Sequence, residues 1–255
     1  MEGKKTIRNL ILNIVLAVFL IAFIYSVWQI WLIQDSYKQE QNIHDQVLEF
    51  RPEESPKEQN PDVTPESSII VNPSIADAQE NINKDIVGWI TIPNTKIDYP
   101  YVQTEDNSYY LNKDINKNDQ KAGTLFVDFR CSKDFSSFNT IIYGHHMKND
   151  SMFGTLKKFR NKTFFDTNKT GKIYIQTQTY IFEIFAYIVV DATDLMIYNT
   201  IYAREDKVKE YLEYVEDKAT HFRDIGVKGG DSIITLSTCG YDYKDARLIL
   251  LARVK

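Results

Sequence analysis

The chain has 255 residues, a net charge of -5 and a sequence pI near 5.5. That length suits one good-sized domain plus accessory segments. The acidic balance, with no Lys/Arg cluster beyond the N-terminus, argues against a nucleic-acid surface. Aromatic residues make up 13% of the chain, 16 Tyr and 14 Phe among them, which fits a β-rich domain with its own core and not a disordered polymer.

From Leu10 to Ile33 runs LILNIVLAVFLIAFIYSVWQIWLI, without a charge and with Asn13, Ser26 and Gln29 as its strongly polar interruptions. As a helix rising ~1.5 Å per residue it spans a hydrocarbon layer of ~30 Å with slack for tilt. The apolar core is too long for a cleaved signal peptide and no small-residue cleavage site follows, so residues 10–33 are predicted to be a retained transmembrane helix. Lys4, Lys5 and Arg8 precede it and Asp35 follows. The positive-inside rule then leaves residues 1–9 in the cytoplasm and puts the rest of the chain outside the cell membrane. Tyr25, Trp28 and Trp31 cluster toward the far end, as an interfacial aromatic belt does.

Residues 34–73 hold five of the seven prolines (Pro52, Pro56, Pro61, Pro65 and Pro73) among Glu, Ser, Gln and Asn. Such a segment buries little and reads as a spacer, its first part (35–50) continuing as helix. The folded domain is expected over 74–255. It opens with a short helix capped by Ser74, with Ile75, Ala78 and Ile82 on one face. Eight strand-like runs follow: GWITI, TKIDYPYV, GTLFVD, NTIIYGH, GKIYIQT, YIFEIFAYIVV, DSIITLSTC and ARLILLARV. Their β-branched and aromatic content predicts a mainly β barrel or sandwich. One segment differs. In AREDKVKEYLEYVEDKA, residues Val208, Tyr211, Leu212, Val215 and Ala219 recur at helical spacing, which predicts an amphipathic helix between two strands.

Two cysteines, Cys131 and Cys239, are too few for a disulfide framework. A free Cys131 is expected, because bridging would silence a reactive Cys239. Cys239 ends the strand DSIITLSTC, a six-residue connection GYDYKD follows, and Arg247 opens the strand ARLILLARV. If the two strands pair as a hairpin, thiol and guanidinium meet at one end of the sheet. Thiolate attack on a carbonyl builds negative charge on oxygen, and a fixed cation stabilises it. The plainer alternative is a small buried hydrophobe beside a surface charge. Of the four histidines, His44 lies in the spacer and His221 just after the amphipathic helix, while His145 and His146 follow NTIIYG. Adjacent side chains project in different directions, so one of this pair is expected to enter a site, and the pattern does not choose between them. Neighbouring histidines share a metal poorly and no ligand cluster accompanies them, so no metal or other cofactor is expected.

The membrane anchor, YGHHM, and TLSTC with Arg247 eight residues after the cysteine together resemble a sortase, the cysteine transpeptidase of Gram-positive cell surfaces. GWITIPNTKIDYPYVQ, DNSYYL and GTLFVDFR extend the likeness over about 74–255, and the helix 203–219 with SMF after the histidines is most similar to class B. The resemblance implies a closed eight-stranded β-barrel with peripheral helices. It implies Cys239 as nucleophile, His145 as its acid–base partner and Arg247 as the cation at the oxyanion, with His146 a neighbour. A peptide groove of Asn107, Leu111, Tyr143, Thr193, Ile197, Tyr198 and Ser237 is implied as well, with Thr238 beside it. Gly240 after the cysteine departs from members that carry a side chain there, and no carboxylate stands out as an orienter for His145.

The function so implied is cleavage of a C-terminal sorting signal after Thr and transfer, through a thioester, to an amine of a peptidoglycan precursor or cross-bridge. The partners would be secreted proteins with NPQTN-like, LPXTG-like or (S/P)PXTG-like motifs. Two alternatives remain, the first using the same three residues and the second leaving Cys239 as a core residue. A membrane-tethered cysteine hydrolase would give products that do not change when amine is added. A non-catalytic surface binding module would survive Cys239→Ala and keep its thiol from alkylation.

Overall fold

In the computed structural model, which describes residues 2–53, 72–201 and 205–255, the chain divides into two units, Met1–Asn42 and Ile43–Lys255. The first unit consists of helix α1 (Glu2–Val47), whose last turn belongs to the second. Its large apolar side chains from Leu10 to Ile33 are exposed. A helix apolar on every side belongs in lipid or a protein core. Among the described residues it is the one helix long and apolar enough to cross a membrane. The predicted continuation beyond residue 34 is helical to Val47, and a 3-10 turn follows over Leu48–Phe50. Pro56, Pro61 and Pro65 of the predicted spacer lie outside the described residues.

The second unit begins its folded part with α2 (Pro73–Asn81). The cap differs from expectation: Asn72, not Ser74, is the N-cap, because Pro73 takes the first helical position, where its fixed φ suits the helix and its missing N–H costs nothing. The Asn72 amide bonds no helical N–H. It donates to the carbonyls of Ile175 (2.5 Å) and Gln178 (3.1 Å) and so ties the helix start to a hairpin of the sheet. Ile75 and Ala78 are buried, as the spacing predicts, against Ile86, Trp89, Val102 and Tyr174.

The strands are β1 (Ile86–Thr91), β2 (Asp98–Val102), β3 (Leu125–Val127), β4 (Asn139–Tyr143), β5 (Thr170–Ile175), β6 (Gln178–Asp191), β7 (Ala219–Phe222), β8 (Ile233–Cys239) and β9 (Ala246–Val254). Helix α3 (Lys162–Thr167) precedes β5, and α4 (Glu205–Lys218) lies between β6 and β7. The strand order is β5-β1-β2-β3-β4-β8-β9-β6-β7, and a further β5–β6 pairing closes eight of the strands into a barrel with β7 outside it on β6. Closure removes the edges that an open sheet would leave. Pairs β2–β3 and β4–β8 are parallel, and the others antiparallel. The eight expected runs are these eight barrel strands. The ninth, ATHF, is too short and mixed to show in a hydrophobic pattern.

Strand β9 is apolar on both faces, and β8 at its start, because each face has its own core. Ile234, Leu236, Leu248, Leu250 and Ala252 point into one cluster with Phe182 and Ile184, while Ile233, Ile249 and Leu251 meet Tyr211 and Val215 of α4 in another. The helix buries Val208, Tyr211 and Val215 as its spacing predicts, and Ala219 opens β7 instead of extending it. Residue 203, where the helix was expected to start, lies outside the described residues. Fully burying a Val or Leu is worth about 1.5–3 kcal/mol, so this second core fixes the β8–β9 ends firmly.

Candidate active site

Residues 233, 235, 237 and 239 share one face of β8, because successive side chains on a strand alternate. Along that face the surroundings turn from apolar to polar. Ile233 is in the core with α4, Thr235 donates to Asn139 Oδ1 at 2.7 Å, the Ser237 hydroxyl meets the Tyr198 hydroxyl at 2.9 Å, and Cys239 is half-buried with a free thiol. Cys239 stands opposite Arg247 in the antiparallel register. The amide of the next residue, Gly240, donates to the Ala246 carbonyl at 2.8 Å, so Cys239 and Arg247 are a non-hydrogen-bonded pair, the kind whose Cα atoms lie about 4.5 Å apart with side chains close. The hairpin read from the sequence thus brings thiol and guanidinium to one face.

Asn107, Leu111, Phe126, Tyr143, Gly144, His145, Ala192, Tyr198, Ser237, Thr238, Cys239 and Arg247 line a cleft of ≈ 350 Å³. His145 leaves the end of β4, and its Nε2 donates to the Leu111 carbonyl at 2.6 Å. A carbonyl only accepts, so Nε2 carries the proton in this arrangement. Among the described residues no carboxylate bonds this ring. His146 points elsewhere: its Nδ1 meets the carbonyl of Cys239 at 2.7 Å. Of the expected groove, Asn107, Leu111, Tyr143, Tyr198 and Ser237 line the cleft. Thr193 and Ile197 are not among those lining residues. The Thr193 hydroxyl donates to Asp191 at 2.6 Å, and Ile197 is fully buried in the core that α4 covers.

One wall of the cleft hangs on a residue the sequence did not single out. Asp128, just after β3, is fully buried. It accepts from Arg130 Nε and Nη2 (both 2.8 Å), from Asn107 Nδ2 (3.0 Å) and from the Tyr143 hydroxyl (3.0 Å). Arg130 in turn donates to the Tyr198 carbonyl at 3.2 Å. One carboxylate therefore fixes three of the lining residues. Burial pushes the Asp128 pKa up, but the Arg130 and Tyr143 bonds outweigh it and hold the carboxyl below its usual range. Burial beside that carboxylate drives Tyr143 well above the ordinary phenol value, and burial pushes Tyr198 up to about 12. Both phenols stay neutral donors at physiological pH. Their rings stack 6.2 Å apart, and Phe126 lies 5.2 Å from Tyr143. Phe126 enters the cleft as the register partner of Tyr143 and Ala192 from the turn after β6, so no local pattern marks them. Cys131, the other free cysteine, is buried with its thiol pushed up to about 11 by burial, which suits a structural residue.

Known proteins share this architecture and its sequence. The sortase B of Listeria monocytogenes is 33% identical over 256 residues, spanning 100% of this chain and 99% of that protein. A mutant form of Clostridium perfringens sortase B superposes with a TM-score of 0.73 at 34% identity, covering 83% of this chain and 96% of that one. The Staphylococcus aureus sortase B–substrate complex gives a TM-score of 0.73 at 27% identity, over 86% of this chain and 97% of that one. The family model for the Sortase domain matches residues 90–255. A barrel closed around this cleft, with sequence likeness running the whole length of a curated relative, leaves one family: the chain belongs to the sortases, with class B members as its relatives, and is a cysteine transpeptidase.

Proposed function

We propose that Cys239, Arg247 and His145 carry out a two-step acyl transfer on a peptide sorting signal lying in the cleft. The observation that carries this reading is the Cys239–Arg247 register pair with His145 lining the same cleft. The Cys239 thiol gives its proton to the free Nδ1 of His145, and the thiolate so formed attacks the carbonyl carbon of the bond after Thr, the oxygen that gains charge facing the Arg247 guanidinium. His145 gives a proton to the departing amine as the C–N bond breaks, which leaves a thioester on Sγ. An incoming amine then attacks the thioester carbonyl, His145 takes its proton, and Cys239 is released as thiolate. Acid–base help of this kind is worth roughly 10²–10⁴ in rate. The imidazole is oriented by a backbone carbonyl, that of Leu111, so a Ser-His-Asp-type triad is not the template.

The acceptor in this reading is an amine of a peptidoglycan precursor or cross-bridge, and the donors are secreted proteins carrying NPQTN-like, LPXTG-like or (S/P)PXTG-like signals. That a relative is described in complex with its substrate supports a peptide-binding cleft. The topology follows the charges: residues 1–9 inside, residues 10–33 across the membrane, residues 34–73 as spacer and 74–255 as catalytic domain outside, where exported proteins and wall precursors meet.

Intact-mass spectrometry of the full chain in detergent, incubated with a panel of sorting-signal peptides with and without a free amine, tests the reaction. An acyl adduct on Cys239 that added amine converts to ligated peptide is the expected result, and the peptide that reacts names the substrate class. Cleavage whose products ignore added amine would replace transpeptidation with hydrolysis.

A further inference from the structure

The second histidine of the pair has no part in the transfer as described, yet it touches the nucleophile's own backbone. In the parallel β4–β8 ladder, Tyr143 is registered with Ser237, and the Gly144 amide donates to the Ser237 carbonyl at 3.1 Å. The next rung of such a ladder falls two residues on, where the amide of residue 146 would donate to the carbonyl of residue 239. That rung is occupied, but by a side chain: the chain bends away into a bridge with Met152, and His146 Nδ1 meets the Cys239 carbonyl at 2.7 Å. Because Cys239 and Arg247 are a non-hydrogen-bonded pair, this carbonyl points away from β9 and receives nothing from that side. The imidazole is held in place by Tyr241, whose ring lies 4.9 Å away and whose hydroxyl donates to the His146 carbonyl at 3.3 Å.

We propose that His146 is a positioning residue: as an Nδ1–H donor it completes the β4–β8 ladder at the nucleophile and fixes the peptide plane from which Cys239 projects. A carbonyl accepts and never donates, so the bond also selects the tautomer, with the proton on Nδ1. The two histidines thus hold opposite tautomers, Nε2–H at His145 and Nδ1–H at His146, each selected by a backbone carbonyl. Without the bond the last carbonyl of β8 loses its partner, and the thiol is no longer held in one orientation toward Arg247. The inference rests on Cys239 being the nucleophile.

The test uses the full chain in detergent with Cys239→Ala, His146→Ala and His146→Asn variants. The Asn amide nitrogen stands where Nδ1 stands, so it can restore the bond without an imidazole. His146→Ala is expected to slow peptide acylation about fivefold, the worth of one ordinary hydrogen bond, with KM unchanged. His146→Asn should recover to within about twofold of the native rate on the same basis. Selective ¹⁵N-histidine NMR at alkaline pH should show His146 protonated on Nδ1. An Nε2–H tautomer, a native rate in His146→Ala, or an Asn variant as slow as the Ala variant would each overturn the proposal. If His146→Ala also lowers Tm, the Asn variant decides. Turnover that survives Cys239→Ala would overturn the nucleophile assignment instead, and the NMR tautomer is read independently of it.

Discussion

At Arg247 the question is what kind of cation the thiol needs. A guanidinium presents several donors in a rigid fork and stays charged at any working pH, whereas an ammonium is a flexible point charge. Arg247 uses one of its nitrogens on the Ala246 carbonyl, at 3.0 Å, which steadies the fork beside Cys239. Arg247→Ala is expected to lower kcat by roughly 10²–10³, as loss of one oxyanion donor does, and Arg247→Lys to recover less than about a tenth of the native rate, since the fork is lost. Steady-state cleavage of the reactive peptide checks both, and a Lys variant near the native rate would show that charge alone suffices. Cys239 and Arg247 were legible in the sequence because cysteine is scarce and a six-residue connection between two strand runs fixes which residues face each other. The choice of His145 was not legible in the residues themselves. Adjacent histidines differ only in direction, and direction is set by where β4 ends and by two distant carbonyls, those of Leu111 and Cys239.

The elements that frame the cleft owe their positions to contacts no single segment contains. Strand β3 contributes Asp128 at its end, and that carboxylate holds Asn107, Tyr143 and, through Arg130, Tyr198. Asp128→Asn removes the charge that Arg130 pairs with and sets an amide donor against the Asn107 amide. It is expected to cost about 2–3 kcal/mol of stability, below the usual figure for a broken buried pair because Arg130 remains 42% exposed and can rehydrate. It should also raise KM for peptide more than it lowers kcat, because the wall and not the thiol is displaced. Thermal unfolding and steady-state kinetics measure the two, and an unchanged KM would mean that the wall keeps its shape without the charge. Gly144, between β4 and the histidines, answers to the same packing: a Cβ there would lie 2.3 Å from Leu125 Cδ2 and 2.7 Å from Phe153 Cδ2. Gly144→Ala is therefore expected to lose about 1–3 kcal/mol through overpacking, read as a lower Tm. The strands themselves were legible, since β-branched and aromatic runs between turns mark them whatever their partners. Their order was not, because the β1–β5 and parallel β4–β8 contacts join segments far apart in sequence. Strand β7 and the role of Asp128 escaped for the same reason, each having meaning only beside a remote neighbour.

Over the whole molecule, acidic side chains outnumber basic ones, 35 to 30, yet several carboxylates are built into the fold as partners of cations. Asp128 is one. Asp85, 19% exposed, is raised by burial but lowered further by bonds from Lys117 and Tyr110, with a net downward shift. Glu183 is lowered chiefly by Lys255, 2.6 Å away, with Arg253 at 3.0 Å adding to it, and so ties the C-terminal residues to β6. Each of these groups has a folded pKa below its unfolded value, which is about 3.9 for Asp and 4.3 for Glu. Stability from such a group is fully present above the unfolded pKa and is lost as pH falls through the folded one. Tm of the full chain in detergent should therefore show no loss from these groups between neutral pH and about pH 5, and should fall steeply below about pH 4. The contributions differ in depth. Asp128 is wholly buried and holds four side-chain bonds, whereas Asp85 and Glu183 face solvent in part and are screened. Asp128→Asn, which cannot titrate, should lower Tm at neutral pH and flatten the acid limb, so that its curve approaches the native one as pH drops. Parallel curves down to the lowest pH would assign the acid limb to other carboxylates and leave Asp128 with a role in shaping the cleft alone.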